Sequence, residues 1–126
     1  MANRNFNRMQ ALNKEVKVIA GRLEDDATSN AGLGWTGAAT STGVYTVTLS
    51  DSYNALIACT ATIQSTTGVD NFQISIASHD VSAATATIVF HVSKDDGLGA
   101  GVLTDLGDTD EIHFSAFLQN SSLPSV

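Results

Sequence analysis

Cysteine, proline and basic residues are all scarce here: one, one and six in 126 positions. Each scarcity excludes something. A lone Cys59 rules out an intrachain disulfide, so the fold relies on no oxidative staple. The one proline, Pro124, falls in a tail, 121–126, expected to be loosely held. Charged residues make up 15% of the chain, against roughly 25% in ordinary soluble domains. That deficit is concentrated between 52 and 93, where Asp70 and Asp80 are the only charges and Thr, Ser and Ala fill most non-core positions. An isolated monomer normally shows more charge on its outer strand faces. Burial between subunits or against a larger assembly is the simplest account, with a neutral, hydroxyl-rich surface as the alternative. No apolar run approaches the roughly 18 residues of a membrane helix, and no apolar block of signal-peptide type follows MANRNFNRMQ. The expectation is a soluble protein made in the cytoplasm, with no membrane partner. Without a secretory signal, the sequon at Asn120-Ser121-Ser122 is chemically idle.

What charge there is falls in two blocks. Arg4, Arg8, Lys14, Lys17 and Arg22 lie in the first 22 residues against Glu15 alone, a net +4. The remainder carries Lys94 against twelve acids, a net −11, which together recover the chain's −7. A basic arm thus precedes an acidic body, an arrangement that acts on association and not on fold. Phe6, Met9 and Leu12 have a spacing compatible with one short amphipathic helix over 2–13. Two turns do not hold themselves together in water. The arm is therefore either ordered only on a partner or packed on its own body as a cap. A merely solubilising tail is the bland alternative.

The body reads as a single all-β domain, a β-sandwich or barrel of about seven antiparallel strands behind an extended or short-helical arm. Its boundaries are expected at 1–15 for the arm, 16–120 for the domain and 121–126 for the tail. Period-two segments occur at 16–23, 35–40, 43–49, 56–64, 72–78, 85–93 and 111–119. Tyr45, Val47 and Leu49 share one face; so do Ile57, Cys59, Ala61 and Ile63; Phe72, Ile74 and Ile76; Ile88, Phe90 and Val92; and Ile112, Phe114, Ala116 and Leu118. Those faces should meet in the core. The loop 94–110 holds four glycines and five aspartates and is too long for a hairpin, a length that usually marks function or mobility. Val102-Leu103 within it is a candidate short strand. There is no internal repeat and no heptad.

Catalysis finds no motif. A phosphate-binding Gly loop, His-Glu-x-x-His, a Gly-x-Ser-x-Gly elbow and cysteine pairs at zinc spacing are all missing. Cys59, between Ile57 and Ala61 on an inward face, suits a small buried hydrophobe better than a reactive thiolate. His91 and His113 both point outward by strand parity, and would form a metal pair if their strands were neighbours or met about a symmetry axis. Ordinary surface imidazoles are the favoured reading, so neither a metal nor another cofactor is expected. Alternate oxygens in Asp105-Leu106-Gly107-Asp108-Thr109-Asp110-Glu111 loosely echo a calcium loop without the EF-hand pattern, and solvated acidic turns are far commoner. Nucleic acid is disfavoured because the acidic body would repel the polymer that the arm attracts. A shallow acidic or polar patch on a protein suits the arm better, through Arg4, Arg8 and Lys14 as charged contacts and Phe6 and Leu12 as anchors.

The opening Met-Ala-Asn-Arg-Asn-Phe-Asn-Arg, then Ala11-Leu12-Asn13-Lys14-Glu15-Val16-Lys17, and the segment from Thr42-Gly43-Val44-Tyr45-Thr46-Val47-Thr48 to Leu49-Ser50-Asp51-Ser52-Tyr53 resemble small virion proteins of tailed bacteriophages. The resemblance covers about the first quarter and one central hairpin. It implies a β-sandwich or barrel module, often trimeric, of the capsid decoration (cement) or fibre-tip type, and carries over no catalytic residues. On that basis the expected function is non-enzymatic: a homotrimer on the capsid surface of the virion, bound through its arm to the major capsid protein or another virion protein. Val44, Thr46, Val89, His91 and Phe117 are the candidate subunit interface. The alternative is a carbohydrate- or receptor-binding module at a fibre tip, with Trp35, Tyr45 and Tyr53 stacking on sugars. No collagen-like, coiled-coil or β-helical shaft precedes the body, which departs from a complete fibre protein.

Overall fold

Alternation of large apolar and small hydroxyl side chains folds this chain into two antiparallel sheets packed face to face. The computed structural model describes residues 16–26, 30–66, 71–95, 97–98 and 101–119, and within them every regular element is a strand. In chain order these are β1 (Val16–Glu24), β2 (Ala31–Gly32), β3 (Trp35–Ser41), β4 (Val44–Leu49), β5 (Ala55–Gln64), β6 (Phe72–Asp80), β7 (Thr87–Asp95), β8 (Gly101–Leu103) and β9 (Glu111–Gln119). One sheet has the order β2-β1-β9-β5, the other β3-β4-β7-β6, and β8 pairs with the far end of β7 beyond the start of β4. The fold is therefore a sandwich, with nine strands where periodicity alone marks seven and a short eighth. The two-residue β2 is too brief to leave a periodic signal.

The core lies where the alternation is cleanest. β4, β7 and β9 bury every second side chain: Tyr45, Val47 and Leu49 meet Ile88, Phe90 and Val92, with Ile112, Phe114, Ala116 and Leu118 opposite. Most of these are fully sealed from water. Each large one stabilises the fold by about 1.5–3 kcal/mol over its exposed state. β9 is the centre of its sheet, paired without a slip from Val16↔Gln119 to Glu24↔Glu111 on the β1 side.

One flank is closed by an indole. Trp35 packs edge-on against Phe114, with ring centroids 4.9 Å apart, and its Nε1–H donates to the Ala20 carbonyl at 3.3 Å. The ring occupies space that a Cβ on Gly21 or Gly37 would need. Glycine there is a packing requirement. At the β3–β4 hairpin Gly43 has φ +68° and lies against the Val92 carbonyl and Thr104 amide, so that turn needs glycine for both conformation and room.

The opposite flank differs. It is formed by the outer edges of β5 and β6, and the inward side chains Leu56, Cys59, Ala61, Ile63, Phe72 and Ile74 are only partly buried. Ile76, opposite the buried Phe90, is 40% exposed. The ladder slips between Leu56 and Ala58. The sequence pattern puts Ile57 in the core; that slip turns it outward, 44% exposed, and Leu56 takes the inward place.

Candidate functional site

The acids of the folded domain are sorted along the sandwich axis. β1 begins at Val16 beside the end of β9, Gln119, and close to the start of β5. That is the pole from which the basic arm departs. Glu24, Asp25, Asp26, Asp95 and the four acids of 105–111 gather at the other pole, leaving Asp51 and Asp80 as the acids described near the first. The arm residues Arg4, Phe6, Arg8, Leu12 and Lys14, the arm helix and the tail 121–126 lie outside the described residues.

The acidic pole is built as a tied loop. Asp105 Oδ1 accepts from the Gly43 amide at 2.7 Å, and Asp110, 2% exposed, accepts from the amides of Thr66 at 3.2 Å and Gly107 at 3.0 Å. The hydroxyls of Thr66 and Thr109 are also bonded to each other. Tyr45 completes the clamp: its hydroxyl accepts from the buried Leu106 amide at 3.0 Å and donates to the Asp25 carbonyl at 3.2 Å. Burial pushes the Tyr45 phenol above its ordinary value, the Leu106 bond opposes this, and the charges of Asp105, Asp25 and Asp110 add to the rise. Beside the clamp an open cleft of about 570 Å³ is lined by Asp25, Asp26, Thr40, Ser41, Asp105 and Leu106. The carboxylates of Asp105 and Asp110 are turned toward backbone N–H groups. No trio of His, Cys, Asp or Glu converges at metal-binding distance among the described residues.

The two histidines part company. His91 is on β7 and His113 on β9, strands of different sheets, and each faces outward from its own sheet. Within one chain they stand on opposite sides of the sandwich, so no intrachain His91–His113 pair forms. His113 Nε2 is 3.2 Å from Glu111 Oε2, which also lies 3.7 Å from Arg22 Nε. Such surface pairs contribute little to stability. Cys59 is half-buried and burial pushes its thiol up, the reverse of what a nucleophile needs. Trp35, Tyr45 and Tyr53 are 7%, 0% and 4% exposed, so none offers a ring face to a sugar.

The candidate interface residues divide between two faces. Val44, Thr46, Val89 and His91 form one contiguous patch on the outer face of the β4–β7 pair, through the registers Val44↔His91 and Thr46↔Val89. Phe117 does not belong to it. It lies on the outer face of the other sheet, in a cross-strand row with Val18 and Ala58. That row, with Val18 55% and Phe117 38% exposed and Ile57 beside it, is the apolar part of the outer surface near the arm pole. Comparison with protein-family models, curated proteins and solved structures returns no match. The fold and site thus define a class, an all-β sandwich whose acids gather at one pole.

Proposed function

We propose that this chain is a non-enzymatic structural subunit of a tailed-bacteriophage virion, a capsid decoration or cement module held to the major capsid protein or another virion protein by its basic arm. The observation that carries this reading is the axial sorting of charge. An arm with three basic residues, Arg4, Arg8 and Lys14, precedes Val16 and Lys17 at one pole, while the acids crowd the other. Bound by the arm, the domain presents its acidic pole away from the attachment surface, where like charge keeps particles apart. Phe6 and Leu12 supply apolar anchors, and Arg4, Arg8 and Lys14 supply charge-assisted contacts. The work is mechanical: several arms on one oligomer raise the effective affinity well beyond that of one. The charge-poor outer face carrying Val44, Thr46, Val89 and His91 is where neighbouring protein packs.

Removing residues 1–15 tests this. The shortened domain should stay folded, as judged by circular dichroism, and fail to co-sediment with capsids that bind the full chain. Undiminished capsid binding would exclude attachment through the arm.

A further inference from the structure

We infer that two copies of this chain join flank to flank, pairing the outer edges of β5 and β6 with their counterparts across a two-fold axis. This deepens the reading as an assembly module and rests on it only for biological purpose. Strand edges invite pairing with other chains, and proteins blunt them with charges, proline, short strands or bulges. β5 and β6 each carry one bulge, at Leu56/Ala58 and Ile76/Ser78, which leaves 59–64 and 72–76 as regular edge for pairing. β5 runs ten residues and β6 nine. Among the described residues neither has a strand on its outer side. Neither contains Lys, Arg or Pro, and the one charge in both is Asp80 at the end of β6.

Three observations favour a second copy over another occupant. The chain carries net charge −7, yet β5 and β6 are neutral from Ala55 through Gln64 and from Phe72 through His79, with the Lys94 ammonium 5.5 Å from the Phe72 ring centroid, so two copies meet here with little like-charge contact. The inward side chains along both edges are left half-exposed, unlike those of β4, β7 and β9. Continuing each sheet into a partner would cover them from the open side. Finally, both edges lie on the same flank, so one two-fold axis satisfies them together and leaves no unpaired edge to propagate. The nineteen strand residues per copy fall just short of the roughly 20–30 residues a side of a standard interface.

The test uses the full chain and two lysines. Thr60 and Ser75 are exposed and face outward beside each edge, so Thr60→Lys with Ser75→Lys leaves the core alone while setting ammonium groups against their symmetry mates. Light scattering after size exclusion should give twice the 13.1 kDa chain mass for the wild type and the monomer mass for the double variant, with unchanged circular dichroism. Thr36→Lys on the opposite flank should stay dimeric. Hydrogen exchange on the wild type supplies a second readout: β5 and β6 amides should lose protection on dilution to the monomer. A wild-type monomer, a dimer indifferent to both lysines, or a trimer would overturn the pairing. Because these measurements need no capsid, they fail or hold separately from attachment through the arm.

Discussion

Replacing Tyr45 by Phe removes one oxygen and keeps the ring in the core, isolating what the clamp at the acidic pole contributes. Two partners are lost together: the buried Leu106 amide and the Asp25 carbonyl just past the end of β1. An orphaned buried donor costs about 1–3 kcal/mol, whereas a carbonyl within reach of water recovers most of its bond. The expected loss is about 2 kcal/mol, or about 8 °C in Tm at roughly 4 °C per kcal/mol for a domain of this size. Urea denaturation at pH 7 should show a lower midpoint with an unchanged slope. The pH dependence gives a second handle. Burial raises the phenol pKa in the folded state above the unfolded value near 10. The stability tied to the protonated hydroxyl is therefore fully present below about pH 10 and drains away as pH climbs through the folded value. Tyr45→Phe should lack that alkaline decline. Equal stability at pH 7, together with identical alkaline profiles, would refute the clamp.

Other consequences can be checked with single substitutions. Gly21→Ala places a methyl inside the Trp35 indole and should destabilise by about 2–3 kcal/mol, with a shift in tryptophan emission; a silent mutation would contradict the packing of that flank. Leu56→Ala should cost about 2 kcal/mol, while Ile57→Thr should cost under about 0.5 kcal/mol because the slip in β5 turns Ile57 outward; the reverse ranking in thermal melts would remove the bulge. Cys59 should react slowly with a thiol reagent at neutral pH and fully in urea, since burial disfavours its thiolate. Calcium or a chelator should leave the Tm unchanged, because Asp105 Oδ1 and both carboxylate oxygens of Asp110 accept from backbone amides.

Much of this architecture was legible before folding. Period two located β1 and β3 to β7, each within two residues of its boundaries, and β9 to the residue, because Ile112, Phe114, Ala116 and Leu118 alternate without interruption. Val102-Leu103 did form part of a strand. Periodicity is silent on which strands share a sheet, and so it left His91 and His113 eligible to meet; the topology puts them on opposite faces. A bulge is likewise invisible to alternation, which is why Ile57 and Leu56 exchange roles. Trp35, Tyr45 and Tyr53 looked available for stacking because aromatic residues serve cores and binding sites equally well in a sequence. The roles of Asp105 and Asp110 were hidden because Gly43 and Thr66 are distant along the chain; only the Gly107 amide that Asp110 also accepts from is local. The one forewarning of the open flank was the shortage of charge between 52 and 93.

The register of β9 also sets the order in which this molecule can be made. Its strand sits between β1 and β5 in the centre of one sheet, and Val16 pairs with Gln119 across nearly the whole chain. Until residues 111–119 leave the ribosome, neither β1 nor β5 has its main partner, while β3, β4, β6 and β7 are already free to assemble by local hairpin and near-neighbour pairing. A chain without β9 leaves β1 and β5 without their shared partner and the apolar inner face of the other sheet without most of its opposing layer. Completion waits on the last strand, and early termination before it would release a sticky half-sandwich instead of a smaller domain.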